Sequence, residues 1–340
     1  MDRGLNMHSV CQYYNTCSGC SRQHQSPSSQ RDEKTQAIVT LFEQSNLSWG
    51  QIAPPLWGQS DHYRHKARLS VRYVGAKGQV LVGFREKQPR YVMDMDHCPV
   101  LHAKASALIA PLKRCLNQMD NKTKIPQIEV AVGDSACILI VRHLLPLTQA
   151  DYALLQTFAD EWHVQIYLQA KGVDSIVPLS TQGLLGSLMP MEYCLPDFAV
   201  CLQFHPSLFT QVNLDLNRRL VNQAMAWLAP KPKTKVLELF SGIGNFSLPL
   251  AKLCAQVTTV EKEKQLIECA SQNALRHALT IQSHQADLSK PLEASPPWLG
   301  AAHDALLLNP PRSGVSGHVL TGILQQTIRK ILYVSCQPSS

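Results

Sequence analysis

At 340 residues the chain is long enough for two or more domains with a sizeable core, and its 45% apolar content is ordinary for a soluble globular protein. No apolar run reaches the ~18 residues of a membrane span, and the N-terminal MDRGLNMHSV lacks the apolar stretch of a signal peptide; a cytoplasmic protein is expected, in which 11 Cys stay reduced rather than form a disulfide framework. The net charge of +7 is local: from His62 to Arg90 eight Lys or Arg stand against one acid, Glu86, a balance of +7, while the other 24 basic and 24 acidic residues cancel.

In chain order, Gln23 to Lys34, rich in Ser and Gln, reads as a polar joint, and 35–45 as a helix. YRHKARLSVRY (63–73) alternates with period two, so Arg64, Lys66, Arg68 and Arg72 share one strand face and His65, Ala67, Leu69, Val71 and Tyr73 the other. A second strand at 79–85, after Gly75 and Gly78, completes an expected hairpin that ends in Arg85 and is followed by Lys87. This basic stripe is the electrostatic footprint of a nucleic-acid partner. A helix over 102–118, two strands within 127–142, a helix over 148–162 and further strands to about 204 give an α+β texture. Beyond that point the pattern changes to helix 213–228, strand 235–240, helix 245–253, strand 256–261, helix 264–277, strand 281–286, strand 305–309, helix 317–326 and strand 330–335. Such alternation predicts a parallel, doubly wound sheet. The expected domains are a cysteine segment (1–30), an α+β RNA-binding domain (31–203) and an α/β domain (204–340).

KVLELFSGIGNFSLPLA (235–251) is a strand, a turn and a helix, in which Gly242 and Gly244 let the backbone approach a ligand at the strand's carboxyl end. The third Gly of a dinucleotide fingerprint would fall at Ser247 and is missing, which argues against NAD. Glu261 ends the second strand, where a carboxylate can accept from both ribose hydroxyls, and Asp287 follows the third, where it can hold an adenine amino group. The ordered set is the S-adenosylmethionine pattern of class I, Rossmann-like methyltransferases. Near the N-terminus, CQYYNTCSGC spaces Cys11, Cys17 and Cys20 as metal ligands, with Cys98 of DHCPV as a distant fourth. Zinc and an iron–sulfur centre are both compatible with four thiolates. Cys115, Cys137, Cys194, Cys201, Cys254 and Cys269 read as small core residues.

These parts together resemble the RNA (uracil-5-)-methyltransferase family, on CQYYNTCSGC, YRHKARLSVRY, GFREK, DHCPV, FTQVN, LELFSGIGNFSLPLA, NPPRSG and YVSC, from Cys11 to the end. The resemblance, strongest toward the 23S rRNA branch, implies a [4Fe-4S] cluster on Cys11, Cys17, Cys20 and Cys98. It implies S-adenosylmethionine bound by Gln211, Phe240, Asn245, Glu261 and Asp287, with Asn309 lining the site, and Cys336 as the nucleophile. The implied partner is 23S rRNA; no membrane or protein partner is read, and a monomer is expected. Against the family pattern three departures are read: only ten residues precede Cys11, where an N-terminal β-barrel would be expected; Asn309 stands where most members have Asp; and the sequence as given is expected to be truncated at Ser340, before a further helix, two strands and a Glu base, so that Ile331 to Val334 would form an exposed apolar edge of an unfinished domain. The rival readings are another rRNA branch or the tRNA branch of the family, and a non-catalytic RNA-binding fragment.

Overall fold

A computed structural model describes residues 11–45, 49–179, 190–254, 256–291 and 296–338. The chain divides into two compact units, Met1–Met191 with Val212–Leu214, and Glu192–Gln211 with Asp215–Ser340.

The first unit begins with α1 (Pro27–Gln44). Ser26 caps it by accepting from the Ser29 N–H, and Pro27 at the first helical position needs no hydrogen-bond acceptor. The stretch expected as a polar joint is therefore mostly helix. Next come β1 (Lys66–Val74), β2 (Gln79–Gly83), α2 (Ala103–Ala107), α3 (Ile109–Gln118), β3 (Gln127–Val132), β4 (Cys137–Arg142), α4 (Gln149–Trp162), β5 (Gln165–Gln169) and β6 (Ile176–Pro178). The single helix expected over 102–118 breaks at Leu108, because Pro111 has no N–H for the Ala107 carbonyl. The six strands form one sheet in the order β2-β1-β3-β4-β5-β6, antiparallel except for β4 with β5. In β1, Ala67, Leu69 and Val71 are buried with Leu112, Leu116, Ile128, Leu139 and Leu155, whereas Arg68 and Arg72 are exposed, as period two demands. Thr148 and Asp151 form a reciprocal capping box at the start of α4, and the buried Asp151 also accepts from the Asp120 N–H at 2.8 Å.

The second unit opens with the hairpin β7 (Glu192–Leu195) and β8 (Val200–Gln203), followed by α5 (Leu214–Leu228). Its sheet contains β9 (Lys235–Leu239), β10 (Gln256–Glu261), β11 (Gln282–Gln285), β12 (Ala305–Leu308) and β13 (Lys330–Tyr333). The order is β11-β10-β9-β12-β13, and every pairing is parallel. The connecting helices are α6 (Ser247–Leu253), α7 (Lys264–Arg276), α8 (Pro297–Gly300) and α9 (Gly317–Leu324). All four residues of β12 are buried, the near-continuous apolar run of a strand covered on both faces. β13 lies at the sheet edge, with Ile331 57% and Tyr333 41% exposed.

Two expectations are corrected here. The division falls at Met191/Glu192 rather than near 204. The reason is the buried Asn273 of α7, whose carboxamide brackets Gln203: it accepts from the Gln203 N–H and donates to the Gln203 carbonyl, both at 2.9 Å. Cys194 and Cys201 are not separate core thiols: the hairpin register sets them opposite each other, and they form a disulfide. Cys115 and Cys137 are buried free thiols, as expected.

Glu238 is the unusual residue of β9, fully buried in the central strand of the sheet. Its Oε2 accepts from the Ser247 hydroxyl at 2.5 Å, and its Oε1 meets no hydrogen-bond partner among the described residues. Burial pushes its carboxyl up to about 8; the Ser247 bond opposes that shift and Glu261 adds to it. The folded-state value lies above the ordinary carboxyl value of about 4.3, so the unfolded chain releases this proton first as pH rises. The stability held below pH ~4.3 is therefore lost as pH climbs toward about 8. Glu238→Gln keeps the shape and removes the titration. Its stability advantage over the native chain should grow with pH, by up to about 1.4 kcal/mol per unit, and level off near pH 8. Urea midpoints measured from pH 5 to pH 9 will show this, and parallel curves for the two proteins would refute the assignment.

Candidate active site

In a parallel sheet all the carboxyl ends lie on one edge, and ligands bind in the crevice outside them. The five strands of the second unit carry the predicted residues on that edge. The turn Phe240–Gly244 follows β9, Glu261 ends β10, Asp287 follows β11, Asn309 follows β12 and Cys336 follows β13. The turn is conformationally forced. Phe240 has φ 62°, uncommon for a residue with a Cβ, and Gly242 and Gly244 have φ 59° and 98°. At Gly244 the φ of 98° favours glycine, and a Cβ there would also lie 2.5 Å from Leu248 Cδ1. Ser247 occupies the third-glycine position because its hydroxyl is needed by Glu238.

Glu261 locks the turn from the neighbouring strand. Its Oε2 accepts from the Gly242 N–H at 2.9 Å, and its Oε1 accepts from the N–H groups of Lys262 and Glu263 at 2.7 and 3.1 Å. Asp287 is held below the ordinary carboxyl range by the Ser289 hydroxyl and N–H and by Lys262. Asn309 is half buried, and its N–H donates to the Leu239 carbonyl at 3.4 Å. Past β13 the Val334 N–H still donates to the Leu308 carbonyl at 2.8 Å, which keeps the chain beside β12 as it reaches the exposed Cys336. Gln211 is half buried in the loop between β8 and α5.

Asn245 has partners that its sequence neighbourhood does not reveal. Its Oδ1 accepts from the Tyr193 hydroxyl and from Asn217 Nδ2, both at 2.8 Å, and its Nδ2 donates to Asn217 Oδ1 at 3.0 Å. No spacing motif marks Tyr193 or Asn217.

In the first unit the cysteine segment is stitched onto the turn that follows β2. Ser18 donates to the Arg85 carbonyl from its N–H at 3.0 Å and its hydroxyl at 2.8 Å, the Lys87 N–H donates to the Thr16 carbonyl at 2.7 Å, and Cys17 and Glu86 form a β-bridge. Cys17 and Cys98 are buried, Cys11 and Cys20 partly so. Burial raises the thiols of Cys17, Cys98 and Cys20, the last to about 11, and the neighbouring thiols of the same four raise them further. Against this, the Gly19 N–H donates to Cys17 Sγ at 3.3 Å, the N–H groups of Val100 and Leu101 favour the Cys98 thiolate, and the charges of Arg64 and Lys87 favour those of Cys20 and Cys17. Among the described residues no group of three or more His, Cys, Asp or Glu side chains could hold a metal ion.

The basic stripe is only partly on the surface. Arg68, Arg72, Arg85, Lys87 and Arg90 are exposed, with Arg68 paired to Glu129 at 2.8 Å and the Arg72 and Arg85 guanidiniums donating to the carbonyls of Arg90 and Pro89 at 2.7 Å. Arg64 and Lys66 are half buried, and burial lowers Lys66. Arg64 precedes β1 and pairs with Leu101, and its charge is felt by Cys20. It faces the thiols rather than sharing an open surface with Arg68.

Comparison with known proteins gives a consistent result. A relative from Hahella chejuensis, 23S rRNA (uracil(1939)-C(5))-methyltransferase RlmD, is 39% identical over 339 residues, covering 97% of this chain and 74% of its own length. The protein of the same name from Bordetella parapertussis is 40% identical over 336 residues, covering 97% of this chain and 71% of its own. Among solved structures, the Pyrococcus abyssi tRNA (uracil-54, C5)-methyltransferase in complex with S-adenosyl-L-homocysteine superposes with a TM-score of 0.71 over 95% of this chain and 77% of that one, at 19% identity, so the two share a fold. With the tRNA (uracil-5-)-methyltransferase family profile matching residues 27–284 and these relatives at about two residues in five, the chain belongs to the uracil-5 RNA methyltransferase family.

Proposed function

We propose that the chain methylates C5 of a uracil in 23S rRNA, with S-adenosylmethionine as donor and Cys336 as nucleophile. The observation that supports this reading is the alignment of a forced glycine turn, two carboxylates, an amide and a thiol along one sheet edge. The turn and Glu261 receive the donor's amino-acid and ribose portions, Asp287 its adenine, and Gln211, Phe240, Asn245 and Asn309 line the rest. Uracil C5 is a poor carbon nucleophile. The Cys336 thiolate forms a bond to C6, and the C5=C6 electron pair moves into an enolate. C5 then takes the methyl group as the sulfonium–carbon bond breaks and leaves a neutral thioether. A base removes the C5 proton, C5=C6 reforms, and the C6–sulfur bond breaks. The target base must leave its stack to be reached.

Tritiated-methyl transfer from S-adenosylmethionine to unmodified 23S rRNA tests the substrate. Cys336→Ala should lower turnover on the order of 10⁴-fold or more, as nucleophile removal does elsewhere. RNA carrying 5-fluorouridine, whose fluorine cannot leave as a cation, should trap a covalent adduct on the native chain and none on the variant. Transfer to tRNA with none to 23S rRNA would move the substrate to the tRNA branch, and an adduct that survives Cys336→Ala would remove the nucleophile assignment.

The exposed cations beside β1 and β2 support an RNA-backbone contact. Arg68→Ala, Arg72→Ala and Arg85→Ala together should weaken RNA binding and reduce its log–log salt slope by about 0.7 to 0.9 per lost phosphate contact. A weaker complex with an unchanged slope would remove those contacts.

We propose that Cys11, Cys17, Cys20 and Cys98 hold a [4Fe-4S] cluster, a reading supported by their ligand spacing and by the charge coupling among the four thiols. Bound there, the cluster would cross-link the N-terminal segment to the chain at Cys98 and so add folding free energy to a region with few apolar contacts of its own. Anaerobically purified protein should carry close to four iron atoms per chain, and Cys98→Ser should lose the iron and the brown colour. One zinc per chain with no iron would overturn this assignment.

A further inference from the structure

The Asn245 carboxamide sits in a hydrogen-bond circuit closed by two buried side chains, Tyr193 from β7 and Asn217 from α5, 1% and 3% exposed. Asn217 and Asn245 face each other amide to amide, each donating to the other's oxygen. Such a pair alone is ambiguous, because turning both amides over restores both bonds with oxygen and nitrogen exchanged. Tyr193 removes the ambiguity. Its hydroxyl is buried and has Asn245 Oδ1 as its hydrogen-bond acceptor. Turned over, Asn245 would present nitrogen to the phenol and leave the O–H without an acceptor, which costs about 1–3 kcal/mol for a buried donor. Burial also raises the Tyr193 phenol well above its ordinary value, so it remains a donor at any physiological pH. In the observed state Oδ1 is saturated by two donors and one of the two Nδ2 hydrogens is used, so a single N–H remains.

We propose that Tyr193 and Asn217 are positioning residues for the methyl donor: together they hold the Asn245 carboxamide in one orientation and present its one remaining N–H to the ligand. This rests on the reading of the turn after β9 as the donor site. The residues act from outside the five-stranded sheet, so the β7–β8 hairpin and α5 become part of the donor-binding apparatus. The N–H selects a ligand acceptor, such as a carboxylate oxygen of the donor's amino-acid portion, over a donor group.

A double-mutant cycle on the full chain, read by calorimetric titration with S-adenosylmethionine, tests this. Tyr193→Phe should weaken binding about two- to fivefold, and Asn217→Ala about tenfold, the worth of one to two hydrogen bonds. Both effects should vanish in an Asn245→Ala background, where no amide is left to orient. Thermal midpoints are measured alongside, because a purely structural role would lower them and leave the affinity unmoved. If Asn245→Ala itself binds the donor at full strength, the donor-site reading of Asn245 fails and the proposal with it. If Asn245→Ala weakens binding while Tyr193→Phe and Asn217→Ala do not, or if their effects persist undiminished in the Asn245→Ala background, the donor site stands and the positioning role is overturned. Should Asn217→Ala fail to fold, the Tyr193→Phe arm decides, since it removes one oxygen and no volume the core depends on.

Discussion

The geometry of the carboxyl edge of the parallel sheet depends on how β9 stops. A buried parallel strand delivers its backbone to the sheet edge with no freedom to choose its exit, and here it must reverse into α6 within a few residues. That reversal is bought with a phenylalanine in left-handed conformation and two glycines. It is held by the Glu261 carboxylate on the Gly242 N–H and, from beneath, by Glu238 on Ser247. The same carboxylate thus serves first as a structural brace. With three of its roughly four lone-pair positions on backbone N–H groups, Glu261 can accept two ribose hydroxyls only by releasing one of them. On the proposed reading, donor binding at this edge would be an exchange of hydrogen bonds rather than a simple addition.

The two carboxylates also divide the electrostatic work. Glu261 is partly open to solvent and amply supplied with donors. Glu238 is dry and has one donor. Burial therefore favours the neutral form of the inner carboxyl, Glu238.

Much of this was legible in the sequence because burial writes itself as period. The apolar runs of β9, β12 and β13 locate their strands within a residue or two, and the β1 alternation starts three residues early, at Tyr63 rather than Lys66. Failures occurred where a distant partner overrode the local pattern. Arg64 obeys the alternation of Arg68 but lies ahead of β1, where a bridge to Leu101 turns it toward the cysteines. The hairpin β7–β8 reads like more of the first unit, and distant partners such as Asn273 and His277 of the α7 region and Asn245 assign it to the second. Cys194 and Cys201 look like core residues until the register places them face to face. Tyr193 and Asn217 carry no local sign of their partner, because a carboxamide circuit is assembled from three separate elements and has no spacing to read.

The stitching of Ser18 to Arg85 has a temporal side. The bond joins residues 67 positions apart, and the ledge it uses exists only after the β1–β2 hairpin has formed. Closing so long a loop early would spend chain entropy with nothing yet in place to receive it. A lesion in β1 or β2 would therefore be felt first as a failure of the N-terminal segment to dock on that ledge.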